Sequence, residues 1–163
     1  MKQIISVLTE NRAGVLSRIA GMFSRRGYNI DSLAVGETED SSISRFTIVT
    51  DADEEMLEQI LKQLNKMIDT IKVRSLTNEP ATIRELLLIK VSADDSNRGV
   101  IMDLAATAGA VVVDVSPQTL TLQLCSTPEK TENLRLLCVK YGIKEIVRTG
   151  ITAMQKGSDV LHK

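Results

Sequence analysis

The chain has 163 residues, of which 43% are apolar and 25% charged, with a formal net charge of -1. That length suits one medium domain or two small ones. The near-neutral balance excludes the dense basic surface that nucleic-acid phosphates demand, and an aromatic content of 2% removes the stacking platforms that bases need.

No apolar run reaches the ~20 residues of a bilayer span. The opening residues lack the basic start, long apolar core and small-residue cleavage site of a signal peptide, and they are not an Arg/Ser-rich transit segment. A cytoplasmic location is the expectation. Residues 3–8 alternate as a strand, and Val15, Leu16, Ile19, Met22 and Phe23 then recur at helical spacing up to Arg26. Gly27 stands where a helix C-cap belongs, with Arg25 and Arg26 at the negative end of the dipole. Residues 29–35 read as the next strand, opened by Asn29, residues 36–42 as a polar turn and residues 45–49 as a third strand. An acidic run over residues 51–55 starts a second helix, whose stripe is Met56, Leu57, Ile60, Leu61 and Leu64. Ile71 and Val73 alternate with Lys72 and Arg74 in a last strand. The order is βαββαβ, the ferredoxin-like arrangement.

Thr77-Asn78-Glu79-Pro80 is a polar, proline-containing break, after which the pattern repeats. Residues 83–91 form a strand, Val100, Ile101, Leu104 and Ala105 a helix, and residues 110–115 and 120–124 a strand pair. Leu134, Leu137 and Cys138 mark another helix and residues 143–147 a final strand, while the tail from Gly150 has no clear period. The expected fold is α+β: two tandem ferredoxin-like βαββαβ domains over 1–76 and 82–163, joined by a linker at 77–81.

Catalytic signatures are missing. Neither G-x-G-x-x-G after a strand nor G-x-x-x-x-G-K-[ST] occurs. His162 is the single histidine and sits beside the C-terminus, where fraying is expected, so histidine-based acid–base, nucleophilic and metal schemes lack partners. Cys125 and Cys138 have no metal or redox spacing and are expected to be buried structural thiols. Asp51, Asp53, Glu54 and Glu55, like Asp94 and Asp95, precede helices, where carboxylates lower energy by ~0.3–1 kcal/mol each without any ion. No catalytic residue and no metal ligand is assigned.

The informative stretch is Thr9-Glu10-Asn11-Arg12-Ala13-Gly14-Val15-Leu16-Ser17-Arg18, which joins the first strand to the first helix. First-turn amides lack intrahelical acceptors and face the positive dipole end, which suits a carboxylate. Gly14 lets a ligand approach its backbone closely, and Asn11 offers both a donor and an acceptor to a zwitterion. The alternative, that Asn11 caps the helix and Gly14 permits a tight turn, is equally compatible with the residues. Asn29, just past Gly27, faces the same choice between a ligand contact and a turn role.

Glu10-Asn11-x-x-Gly14-Val15-Leu16-Ser17-Arg18, followed by Phe23-Ser24-x-Arg26-Gly27-Tyr28-Asn29-Ile30-x-Ser32-Leu33, resembles the opening of the acetolactate synthase small-subunit family, an ACT domain. Ser44-Arg45-Phe46-Thr47-Ile48 continues the likeness. In the second half Arg84-Glu85-Leu86-x-Leu88-Ile89-Lys90-Val91 and Tyr141-Gly142-Ile143-x-Glu145 are similar as well. Ala106-Thr107-Ala108-Gly109-Ala110 and Cys125-Ser126 depart from the family pattern, so the resemblance implies no ligand or metal role there.

The resemblance implies a non-catalytic regulatory subunit whose ACT domains pair as a homodimer. Valine or another branched-chain amino acid would bind at the interface, its carboxylate on the Gly14 and Val15 amides with Asn11 close by. Ala13, Leu16 and Ser17 would line the pocket, and Asn29 and Ile30 would come from the second copy. The implied partner is the catalytic large subunit, which carries thiamine diphosphate, Mg and FAD; this chain itself would hold no cofactor. Binding would activate that subunit and confer feedback inhibition. An alternative is a free-standing amino-acid-sensing regulator of another enzyme or of transcription, although no DNA-reading helix-turn-helix or basic arm is present.

Overall fold

The computed structural model describes residues 1–161, so His162 lies outside the described residues. The chain divides into two units. The first comprises Met1–Thr82 together with the chain from Ile151 onward, and the second comprises Ile83–Gly150.

In the first unit the elements are β1 (Lys2–Glu10), α1 (Val15–Arg25), β2 (Ser32–Glu37), β3 (Ile43–Asp51), α2 (Glu54–Asn65) and β4 (Thr70–Ser75). The antiparallel sheet runs β2-β3-β1-β4. Register decides its inner face: Ile5 lies opposite Ile48 and Val7 opposite Phe46, so all four point to one side. There they meet Val15, Ile19, Met22 and Phe23 of α1 and Ile60 and Leu64 of α2 in one buried cluster. Full burial of each large side chain contributes ~1.5–3 kcal/mol. The acidic run resolves into separate roles. Asp53 accepts from the Met56 amide at 2.8 Å as the N-cap of α2, whereas Asp51 belongs to β3 and pairs with the N-terminal amine.

Two strand boundaries depart from expectation. Asn29 and Ile30 precede β2 instead of opening it, because the Asn29 carbonyl is taken by the Thr50 hydroxyl at 2.6 Å and ladder pairing begins at Ser32. Gly36 and Glu37 remain in β2, so the turn starts at Thr38.

The second unit is built from β5 (Ala81–Ser92), α3 (Arg98–Ala108), β6 (Val111–Val115), β7 (Thr119–Ser126), α4 (Pro128–Cys138) and β8 (Ile143–Arg148), in the sheet order β6-β7-β5-β8. Leu87, Ile89 and Val91 pack with Leu120, Leu122, Leu124, Ile101, Ala105, Leu134 and Cys138. The βαββαβ order thus occurs twice. Cys125 is exposed, contrary to the expectation of two buried thiols. The alternation that turns Leu120, Leu122 and Leu124 inward leaves Cys125 on the other side of the strand. Asp94 spends its carboxylate on the turn before α3, accepting from the Ser96 amide at 2.9 Å and the Asn97 amide at 3.2 Å.

The tail differs most from the sequence reading. It contains β9 (Thr152–Gln155), where an irregular tail was expected, and groups by its contacts with the first unit. The Ile151 amide donates to the Ser32 hydroxyl at 2.9 Å, Arg45 donates to the Ala153 carbonyl at 3.3 Å, and Arg74 donates to the Gln155 side chain. Four residues, Thr-Ala-Met-Gln, are too few to display a period.

Candidate functional site

The segment between β1 and α1 is held from both sides. The Glu10 amide donates to the Asp69 carbonyl at 2.9 Å and the Asn11 amide to the Ser42 carbonyl at 2.7 Å. The Asn11 side chain donates to the Ser41 carbonyl at 2.9 Å and to the Glu37 carboxylate at 3.1 Å. It therefore braces the β2–β3 turn and does not cap α1, which has no side-chain cap.

Gly14 is the N-cap residue of α1 and has φ +87°, a conformation that a side chain makes costly. Its carbonyl accepts the first helical bond, from the Arg18 amide at 3.0 Å, and the Val15 amide turns back to the Arg12 carbonyl at 3.3 Å. Among the described residues the amides of Gly14, Leu16 and Ser17 have no backbone acceptor. They project at the positive end of the helix dipole.

One basic group reinforces this end. Arg18 Nη1 lies 3.1 Å from the position a Cβ on Gly14 would take, and Arg18 Nε donates at 2.7 Å to Asp69, whose carboxylate is nearly buried. Chemically the turn presents unpaired amides, a guanidinium edge, and the Asn11–Glu37 pair nearby. Such an arrangement suits the carboxylate of a small ligand and offers an acidic partner for an ammonium group. Among the described residues no group of three or more His, Cys, Asp or Glu is placed to hold a metal ion.

Of the residues singled out in the sequence, Asn11, Ala13, Gly14, Leu16 and Ser17 are exposed around this turn, whereas Val15 buries its side chain in the core. Asn29 and Ile30 lie past the far end of α1, whose eleven residues span ~16 Å at 1.5 Å each. One copy of the chain does not bring them to Gly14. There the Asn29 side chain donates to Asp31 at 2.6 Å, and Lys2, followed by Asn29, holds the Asp31 carboxyl below its ordinary value. Arg18 and Glu37 were not singled out from sequence. Arg18 sits four residues after Gly14, on the same helix face, which is the signal that could have found it. Glu37 arrives only through strand register, which places it beside Ser44 at the end of the sheet.

Comparison with known proteins gives a consistent result for both halves. A family model described as the AHAS small subunit-like ACT domain matches residues 5–72, and one described as the small subunit of acetolactate synthase matches residues 84–157. The acetolactate synthase small subunit of Mycolicibacterium smegmatis is 47% identical over 153 residues, covering 94% of this chain and 90% of its own. That of Bacillus subtilis is 46% identical over 159 residues, covering 97% and 92%. The crystal structure of the acetolactate synthase small subunit from Thermotoga maritima superposes with a TM-score of 0.88 at 32% identity, covering 98% of this chain and 99% of that one.

Proposed function

This chain belongs to the acetolactate synthase small-subunit family, and from that premise we propose that it binds a branched-chain amino acid at the Gly14 turn and relays feedback inhibition to the catalytic large subunit. Family membership makes its role regulatory and makes the large subunit its partner. Thiamine diphosphate, Mg and FAD belong, on this reading, to that partner.

The observation that carries the ligand assignment is the set of unpaired amides at Gly14, Leu16 and Ser17 on a glycine held at φ +87°. They donate to the effector's carboxylate, with Arg18 supplying positive charge, while Asn11 and Glu37 face its ammonium. Because the Val15 amide is turned to Arg12, it contributes less than its neighbours. A second copy completes the pocket. β2 is an edge strand with Val35 half exposed, a surface suited to pairing with the same strand of another copy. That pairing supplies Asn29 and Ile30, which one chain leaves past the far end of α1.

Coupling of ~1–3 kcal/mol between effector and catalytic subunit is ordinary for allostery and is reciprocal. Isothermal titration of valine, leucine and isoleucine into the chain, with and without the large subunit, tests the reading. A branched-chain amino acid should bind at a site that Gly14→Asp removes, and its affinity there should change when the large subunit is added. Equal affinity in both titrations would remove the coupling.

A further inference from the structure

The sheet face of the first unit that carries no helix has its own charged feature. Arg45 of β3 lies opposite Leu8 and Arg74 of β4 lies opposite Ser6. Both arginines therefore leave the sheet on the side away from Ile5 and Val7, flanking β1. Arg45 donates from Nε to the Ser6 hydroxyl at 3.1 Å and from Nη2 to the Ala153 carbonyl at 3.3 Å, and Arg74 donates to the Gln155 side-chain carbonyl. Every one of these acceptors is neutral. Among the described residues neither guanidinium is in an ion pair. Burial, and then the like charge of Arg74, lower the pKa of Arg45, with Glu39 acting in the opposite direction. Because the two guanidiniums hydrogen-bond only neutral acceptors, a carboxylate between them would gain charge-assisted bonds that neither now has.

A cavity of about 200 Å³ opens at this place between the sheet and the tail. Its polar wall is Ser6, Arg45 and Arg74, and its apolar wall includes Leu76, Met154 and Val160. This is smaller than the ~300–1,000 Å³ of drug-sized pockets, so the occupant has only a few carbons. Glu39 and Asp159 also line it. Their negative charge disfavours a multiply charged anion such as phosphate while leaving a monocarboxylate acceptable.

We infer that this cavity is a second ligand site, distinct from the Gly14 turn, which takes a small monocarboxylate with a short aliphatic body, its carboxylate on Arg45 and Arg74 and its carbon chain against Leu76, Met154 and Val160. The ligand reaches β3, β4 and the tail at once, so its occupancy bears on how firmly the tail is held to the sheet. The same chemistry is shared by aliphatic 2-oxo acids and 2-amino acids; the wall acids Glu39 and Asp159 favour the latter.

The test is titration of the full chain with isovalerate, with inorganic phosphate as the comparison, in wild type, Arg74→Gln, Arg74→Lys and Gly14→Asp. Isovalerate should bind once per chain and slow hydrogen exchange at residues 151–155. Affinity should fall roughly tenfold in Arg74→Gln, the size of one charge-assisted hydrogen bond, fall less in Arg74→Lys, and stay unchanged in Gly14→Asp. Valine and 2-oxoisovalerate titrated into Gly14→Asp then separate the two sources. No binding of isovalerate to the wild type, equal binding to a folded Arg74→Gln variant, or phosphate binding as tightly as isovalerate each overturns the proposal. Loss of isovalerate binding in Gly14→Asp alone would assign it to the other site and overturn the proposal as well.

Discussion

Arg18 ties the Gly14 turn to Asp69: its Nε donates to the Asp69 carboxylate at 2.7 Å while its Nη1 lies 3.1 Å from the place of a Gly14 Cβ. Any side chain at Gly14 therefore meets both positive-φ strain, ~1 kcal/mol, and the guanidinium. Gly14→Ala imposes the strain and pushes the Arg18 guanidinium aside by a few tenths of an ångström, but brings no charge. Gly14→Asp adds a carboxylate that occupies Arg18 and the first-turn amides in place of a ligand. In a reconstituted acetolactate-forming assay, Gly14→Asp should still activate the large subunit but lose valine inhibition, and Gly14→Ala should retain part of it. Normal inhibition of the Gly14→Asp variant would refute the ligand's placement.

Asp69 is 6% exposed and its carboxylate depends on Arg18. Asp69→Asn weakens a charge-assisted bond in a nearly buried place, which costs ~1–3 kcal/mol, while the backbone bond from the Glu10 amide to the Asp69 carbonyl survives. Urea denaturation should show that loss. In a double-mutant cycle with Arg18→Ala, the two changes should fall short of additive. Strict additivity would mean that the two side chains do not support each other in solution.

Much of this architecture was legible because its signals are local. The stripe of Val15, Ile19, Met22 and Phe23 faces one core and is read directly from its 3.6-residue spacing. Gly27 ends α1 with φ +71°, as its position after two arginines suggests. The Gly14 turn was legible as a place, but the role of Asn11 was not. Its amide group reaches Glu37 and Ser41, 26 and 30 positions away, and such partners are fixed by strand register, which single-sequence pattern does not report. The tail failed for a related reason. Ser32 holds Ile151 just before β9, and Arg45 and Arg74 hold Ala153 and Gln155 within it, so its order comes from residues distant in sequence.

The two thiols should react very differently. Cys125 is exposed, while Cys138 is fully buried in the second unit's core, and burial pushes its thiol pKa up. A maleimide added to the native protein should label Cys125 quickly and leave Cys138 untouched until denaturant is present. Cys138→Ser should cost ~1–3 kcal/mol by burying a hydroxyl among apolar neighbours, whereas Cys125→Ser should leave stability nearly unchanged. Rapid native labelling of Cys138 would mean that α4 opens readily.

Glu132 makes the second unit sensitive to acid. Arg135 donates to it from Nε at 2.8 Å and Nη2 at 2.6 Å, and Arg148 of β8 donates at 2.7 Å. These bonds, Arg135's first, lower its pKa from 4.5 to about 2. A carboxylate whose folded pKa is depressed binds protons more readily when unfolded, so its contribution is complete above the unfolded value. As pH falls from about 4.5 toward 2, the contribution disappears. Glu132→Gln should therefore be less stable than wild type at neutral pH, and the gap between their urea midpoints should close on acidification through that window. Added salt should shrink the neutral-pH gap, because the group is on the surface and its ion pairs are screened. A gap that stays constant from neutral pH to pH 2 would show that Glu132 acts through packing alone and that the arginines do not set its proton affinity.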